Sequence, residues 1–333
     1  MVFGLKIFDV VALGELLVDF TEVGISPQEN PVFEANPGGA PCNVLSMLQH
    51  LGKKTAFIGK VGDDSFGRML RDAVAGQGID TGNIIVDSTV PTTLAFVHTA
   101  PDGDRSFSFY RNPGADMMLR KEEVNFSLVN NTRIFHFGSL SMTETGAEEA
   151  TKEAVKIAKD SGALVSFDPN LRPPLWDSLN KAKEKISYGI SQCDILKISD
   201  DEIAFFTGTE DIDKGIAKIQ EEYNVPLVCA TMGRRGSRAY CNGIRVECAP
   251  FLNKDTIETT GAGDTFMACV LNWILDYGID GMDAHRMHDM LGFANAASSI
   301  ITTRKGALMV MPEESEVWGL INERRKSDKE ILY

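Results

Sequence analysis

The sequence predicts an α/β fold: a mostly parallel sheet with helices on both faces, plus a small β-sheet lid. Three observations predict it. Short β-branched runs alternate with segments of helical periodicity along most of the chain, the pattern of parallel strands joined by helical crossovers. Gly14, Gly62, Ser139, Asp168, Ser199 and Gly233 fall near the ends of those runs, where open α/β sheets place their ligands. Two stretches break the alternation and read as a separate small sheet.

Taken in order, "DVVALGEL" is the first strand, with Asp19 at its end, and "APCNVLSMLQHLG" is a helix stopping at Gly52. "KTAFIGKVG" is a strand followed by the helix "DSFGRMLRDAVAGQG". Further on come "RIFHFGS" (strand), "TGAEEATKEAVKIAKDSG" (helix), "ALVSFDPN" (strand), "DILKISDDE" (strand into helix) and "PLVCATMG" (strand). Long helices close the chain, and the tail "NERRKSDKE" reads as a solvated helix end. Of the irregular stretches, "TEVGISPQENPVFEANPGG" lacks helical periodicity, and "PTTLAFVHTAPDGDRSFSFYRNPG" alternates about "PDGD", a hairpin signal. Together, at about 20–37 and 91–112, they form the expected lid over the strand ends of one unit spanning 1–333.

With 43% hydrophobic and 24% charged residues, the chain can bury a sizeable core and is not disordered. Lys+Arg 33 against Asp+Glu 47 leaves a formal charge of -14, which disfavours a nucleic-acid backbone as partner and obliges any anionic ligand to find local donors. The six cysteines (42, 193, 229, 241, 248, 269) show no C-x-x-C spacing and mostly sit among apolar neighbours, as reduced cytoplasmic thiols do. The apolar start carries Lys6, Asp9, Glu15 and Asp19, so it reads as a buried strand and not a leader. No uncharged apolar run approaches the roughly 20 residues of a membrane span.

The stretch "IETTGAGDTFMACVLNWIL" sets Gly261-Ala262-Gly263 directly before Asp264 and an apolar helix. A tight turn would account for the glycines. Small residues also let backbone N–H groups face an anion at a helix N-terminus, with Asp264 beside it as a base. "NPGGAPCNV" places Gly38 and Gly39 before a helix containing Asn43, an arrangement suited to a polyhydroxylated ligand, to whose hydroxyls Asp19 could also be an acceptor. "SFDPNLRPPLW" sets Asp168, Asn170 and Arg172 at alternate positions, so an extended segment would aim all three the same way, with Arg172 a partner for phosphate oxygens. Glu202 opens a helix, where a carboxylate is ordinary. "TMGRRGS" is a glycine-rich turn after a strand, suited to nucleotide contact.

In this order these motifs resemble the ribokinase-like (PfkB) carbohydrate kinases, and among them the fructokinases. The resemblance runs from "VALGELLVD" to "TRKGALMVMP"; "YRNPGADMML" and "DPNLRPPLW" are especially similar to fructokinases. It implies Asp264 as catalytic base and the amides of Gly261, Ala262 and Gly263 as an anion hole. Asp19, Gly39, Asn43, Arg111 and Arg172 fall where sugar or phosphate is held. Thr231, Gly233, Gly236 and Asn295 match nucleotide-side positions. Glu202 matches the acid that organises magnesium waters, with Asn170 beside it, although relatives often have Asn where this chain has Ser199. Family members usually read Asp-Thr-Thr before the glycines. Here Glu258 replaces that Asp, so the potassium site expected from Glu258, Thr260 and "TRKGA" has altered geometry.

The implied reaction transfers the γ-phosphoryl of ATP to a primary sugar hydroxyl, C6 of fructose, with Mg2+ bridging phosphates and the lid expelling water. Lids of this family often pair into homodimers. A 2-keto-3-deoxygluconate or other ketose kinase is the sibling alternative, because Arg111 and Arg172 could grip a carboxylate. A non-catalytic sugar-binding regulator is the alternative from another class. No G-x-x-x-x-G-K-[ST] occurs, so this is not a P-loop enzyme, and "ALGELLVD" lacks a dinucleotide fingerprint.

Overall fold

The computed structural model describes residues 6–99 and 105–330. The chain opens with β1 (Phe8–Leu13), β2 (Leu17–Ile25), β3 (Pro31–Gly38), α1 (Ala40–His50), β4 (Thr55–Gly62), α2 (Ser65–Gly76) and β5 (Asp80–Asp87). Next are β6 (Leu94–Thr99), β7 (Arg105–Tyr110), α3 (Phe126–Asn130), β8 (Thr132–Gly138), α4 (Thr145–Asp160), β9 (Leu164–Asp168), α5 (Leu179–Gln192) and β10 (Ile195–Ser199). Then come α6 (Asp200–Thr207), α7 (Ile212–Tyr223), β11 (Leu227–Thr231), β12 (Ser237–Cys241), β13 (Ile244–Cys248), α8 (Ala262–Tyr277), α9 (Ala284–Ile301) and α10 (Glu314–Glu330).

Among the described residues nine strands form the main sheet in the order β13-β12-β11-β10-β9-β8-β1-β4-β5. All its pairings are parallel except those made by β12 and β13. The period of two along a strand divides the core between the faces. Val10 and Ala12 of β1 pack with α1, α8 and α9, whereas Val11 and Leu13 pack with α4 to α7. Both faces are therefore covered, which is why the central strands are mostly apolar, with His136 of β8, Ser166 of β9 and Lys197 of β10 as buried polar exceptions. All six cysteines are buried and free. No described helix is long and apolar enough to cross a membrane.

A second sheet has the order β3-β2-β6-β7. Two antiparallel hairpins, β2/β3 and β6/β7, are joined by a parallel pairing of β2 with β6. Phe20 stacks on Phe96 at 4.8 Å and meets Phe66 of α2 edge-on at 5.6 Å, fastening this sheet to the body. The turn expected at "PDGD" and residues 1–5 of the apolar start lie outside the described residues.

The structure corrects the first strand. It ends at Leu13, not at Leu16; a side chain at Gly14 would stand 2.6 Å from Pro41 Cγ, so the chain passes close against α1 just beyond the strand end. Asp19 consequently lies in β2 of the second sheet and not at the end of strand one. The sequence pattern offers no separate segment for β5, β12, β13, α3, α5 or α7. The last strand pair had a clear signal, since Asn242 and Gly243 both take positive φ (52° and 73°) in the two-residue loop that Asn-Gly favours.

Candidate active site

Between the second sheet and the C-terminal ends of β9, β10 and β11 lies a cavity of about 500 Å³. The second sheet contributes Asp19, Thr21, Asn36, Val97 and Phe109, and the body contributes Asn43, Asn170, Arg172, Lys197 and Glu202. A second cavity of about 360 Å³ opens beside it, lined by Gly233, Gly236 and Asn295 among others. Thr231, Thr259 and Gly263 line both. The two chambers therefore meet at the N-terminus of α8.

That junction is built by the glycine segment. Gly261 caps α8 in the left-handed region (φ 76°), and a side chain there would stand 2.6 Å from Ala307 Cβ. Ala262 N donates to Thr259 O at 3.2 Å, closing the turn. The first-turn amides of a helix have no carbonyl one turn back to bond, and their partial positive charge favours an anion at this point. Asp264 follows, buried, and its Oδ2 accepts from Asn43 Nδ2 at 2.8 Å. Burial pushes the Asp264 carboxyl up to about 6, and Asp168 adds to this, against the pull of Asn43, Lys197 and Arg172. Asn43 Oδ1 is buried with no hydrogen-bond partner, an acceptor beside the carboxylate.

Gly39 adopts φ 130°, and a side chain there would collide with Glu15 O, so the chain passes close to the β1–β2 turn as it enters α1. Gly38 ends β3 against the Asp19 carboxylate. Asp19 faces the cavity, and burial, together with Asp264 and Glu258, pushes its carboxyl up to about 7 in spite of Arg172.

The segment 168–172 differs from the extended reading. Asn170 takes φ 42° and its N–H donates to Asp168 Oδ1 at 3.1 Å, so the chain turns. Asn170 and Arg172 reach the cavity, while Asp168 points instead to Lys197, whose Nζ lies 2.9 Å from Asp168 Oδ2. Lys197 is the cavity residue the sequence reading missed. Burial pulls its ammonium down, but Asp168 and Glu202 more than offset this and hold it above its ordinary value. A side chain on Gly263 would stand 3.0 Å from Lys197 Nζ, which puts this cation against the first turn of α8. A lysine inside the apolar strand "DILKIS" was the available signal, because such a charge is buried only with a partner.

Glu202 belongs to a capping box on α6: its Oε2 accepts from Ser199 N at 2.8 Å while Ser199 Oγ accepts from Glu202 N. Its Oε1 accepts from Leu171 N at 2.8 Å, so one carboxylate joins the 168–172 turn to α6 at the cavity wall. The S-x-x-E spacing encodes the cap. Glu258 Oε1 accepts from Gly306 N at 2.8 Å, tying the segment before the glycines to the "TRKGA" loop, and Thr260 lines the same wall. Asn295 is spent on structure, donating to the carbonyls of Cys248 and Ala249 and accepting from Ser237 Oγ, which shapes the edge of the second cavity.

Arg111 is the departure. It lies behind the cavity wall, not in it: Nε donates to Asp116 Oδ2 at 2.8 Å, Nη1 to Thr143 Oγ1 and Nη2 to Leu140 O. Among the described residues no three His, Cys, Asp or Glu side chains are placed to hold a metal. The donors at the junction are oxygens, which suit a hydrated Mg2+ shared with phosphates and needing only one or two carboxylates. A polar chamber, a helix N-terminus whose first amides favour negative charge, a buried carboxylate and an adjoining second chamber are an arrangement that can pass a charged group from one ligand to a hydroxyl of another.

The pattern of the pfkB family carbohydrate kinases matches residues 2–314. Probable fructokinase-4 of Arabidopsis thaliana is 40% identical over 314 residues, covering 94% of this chain and 96% of that one. Fructokinase-1 of Zea mays is likewise 40% identical, over 94% of this chain and 97% of its own. Among solved structures, the Xylella fastidiosa fructokinase with bound ATP superposes with a TM-score of 0.86 at 33% identity, covering 95% of this chain and 99% of that one. The Vibrio cholerae fructokinase with fructose, ADP and calcium gives 0.85 at 28% identity, covering 94% and 99%.

Proposed function

This chain belongs to the pfkB family of carbohydrate kinases, and we propose that it is a fructokinase, moving the γ-phosphoryl group of ATP to O6 of D-fructose. The observation that carries the reading is the meeting of the two chambers at Thr231, Thr259 and Gly263, with Asp264 buried at the junction.

Asp19 and Asn43 accept from and donate to sugar hydroxyls, setting the primary hydroxyl against Asp264. Asp264 takes the hydroxyl proton as the oxygen bonds to phosphorus and the bond to the ADP oxygen breaks. Amides at Gly261 and Gly263, with Arg172 and Lys197, take up charge on the transferring group. Mg2+, when bound, neutralises phosphate charge, with Glu202 and Asn170 holding its waters. Gly233 and Gly236 leave room for the nucleotide in the second chamber. Glu258 and Thr260, with the 303–307 loop, are the place for a potassium ion. The second sheet acts as the lid, excluding water that would compete with the sugar.

A sugar acid fits less well. Arg111, one of the two arginines that could grip its carboxylate, is committed to Asp116 and lies outside the chamber lining. A coupled assay should therefore give a kcat/KM for fructose at least tenfold above that for 2-keto-3-deoxygluconate. Activity should vanish with EDTA and fall when tetramethylammonium replaces potassium. Sugar binding without turnover would instead make the protein a regulator.

Buried free thiols support a reducing, cytoplasmic setting. The tip of the lid leaves Ile25 63% exposed, with Val23 and Val32 near it on β2 and β3, and a second copy of the chain is the proposed cover. Sedimentation should show a dimer that Ile25→Lys converts to monomer; a monomeric wild type at micromolar concentration would remove this proposal.

A further inference from the structure

The four strands of the second sheet join the body at four stems, and the side chains at those stems converge. Glu15 precedes β2, and its Oε1 accepts from Ala40 N, just past the end of β3, at 3.1 Å. Thr93 precedes β6, and its Oγ1 donates to Asp116 Oδ1 at 2.5 Å. Arg111 follows β7, and its guanidinium holds the other oxygen of the same Asp116, with Nη2 at 2.7 Å. Thr93 O also accepts from Val18 N at the start of β2.

The cluster is anchored to the body on the far side. Arg111 reaches Leu140 O and Thr143 Oγ1 in the turn after β8. Beside Thr93, Thr92 donates through both N and Oγ1 to Asp64, the N-cap of α2. Glu15, Thr93, Arg111 and Asp116 are all buried, and the field of Arg111 falls on Glu15 as well as on Asp116. Glu15 Oε2 has no hydrogen-bond partner, and burial pushes the Glu15 carboxyl up to about 7 in spite of the pull of Arg111. A buried charge cluster adds little net stability for its desolvation cost, but it defines one geometry.

We propose that Glu15, Arg111, Asp116 and Thr93 form a latch that sets the position of the whole second sheet over the sugar chamber. Thr93, Arg111 and Asp116 are positioning residues that act through Asp19, Thr21 and Asn36 on that sheet and do not line the chamber, whereas Glu15 joins the latch to the chamber wall. This rests on the reading above that the sheet covers the sugar. The second chamber has no lining residue from the sheet, so the latch should govern the sugar and not the nucleotide.

The test is Asp116→Asn, which keeps the shape and leaves Arg111 without its charge partner, alongside Thr93→Val, which removes one hydroxyl bond only. Asp116→Asn should raise the fructose KM about tenfold or more and leave the ATP KM within about twofold. Thr93→Val should move the fructose KM in the same direction by about threefold, which decides the matter if Asp116→Asn fails to fold. Hydrogen exchange across residues 17–38, with and without fructose, separates the two readings. Protection by fructose in wild type that is lost in the variants supports the latch. Equal protection in all three proteins, or equal changes in both KM values, overturns it. No protection in wild type overturns the covering role of the sheet, and the latch with it.

Discussion

Asp264→Asn should lower kcat by about 10²–10⁴-fold, the usual cost of losing a general base, or roughly 3–5 kcal/mol of barrier. Asn preserves the shape and the contact with Asn43 but cannot take the hydroxyl proton. The glycine turn, Arg172 and Lys197 are untouched, so ATP and fructose should still raise the melting temperature. The pH dependence carries the same signature. A carboxyl held near 6 is an active base only when ionised. The wild-type kcat/KM should therefore fall as pH drops through about 6. Asp19→Asn should keep that limb, and the residual activity of Asp264→Asn should lack it. A kcat within tenfold of wild type, where chemistry limits the rate, would show that Asp264 is not the base.

Lys197→Met should be the most destabilising single change near the site. It leaves Asp168 buried without its ammonium partner, and breaking a buried pair from one side costs about 3–5 kcal/mol. A loss of that size should lower Tm by roughly 10 °C. The unpaired Asp168 charge also pushes the Asp264 carboxyl further up, because Lys197 no longer opposes it, so the acidic limb of kcat/KM should move to higher pH. Lys197→Met combined with Asp168→Asn removes both charges and should recover most of the Tm and return the limb toward 6. Calorimetry and pH profiles of the three proteins check this. A single variant melting within about 2 °C of wild type would show that the pair contributes no such stability.

Hydrophobic period and local turn chemistry are properties of short segments, and these are what the chain spells out. The main sheet, its covering helices and the presence of a second small sheet follow from runs such as "DVVAL" and "ALVSF" alternating with "EEATKEAVKIA". Gly261-Ala262-Gly263 before Asp264 is equally legible, because the glycine that a left-handed cap requires and the acid that follows it lie in one turn. The Asn-Gly turn between β12 and β13 is a local signal of the same kind.

What the sequence determined by itself is therefore the architecture, the glycine turn at the mouth of α8 and the acid beside it, and, through its motifs taken together, the kinase family. Tertiary structure alone decided which groups meet. Asp19 reads as the end of the first strand, but β1 stops at Leu13 and Asp19 pairs with Asn36 of β3 and Ala95 of β6 in the other sheet, neighbours distant along the chain. Arg111 reads as a ligand contact until Asp116 and Thr143, 5 and 32 residues away, take its donors. Lys197 reads as an oddity in a strand until Asp168, 29 residues earlier, pairs with it beside Gly263. A buried charge is defined by the partner that neutralises it, and a partner distant along the chain leaves no periodicity to read.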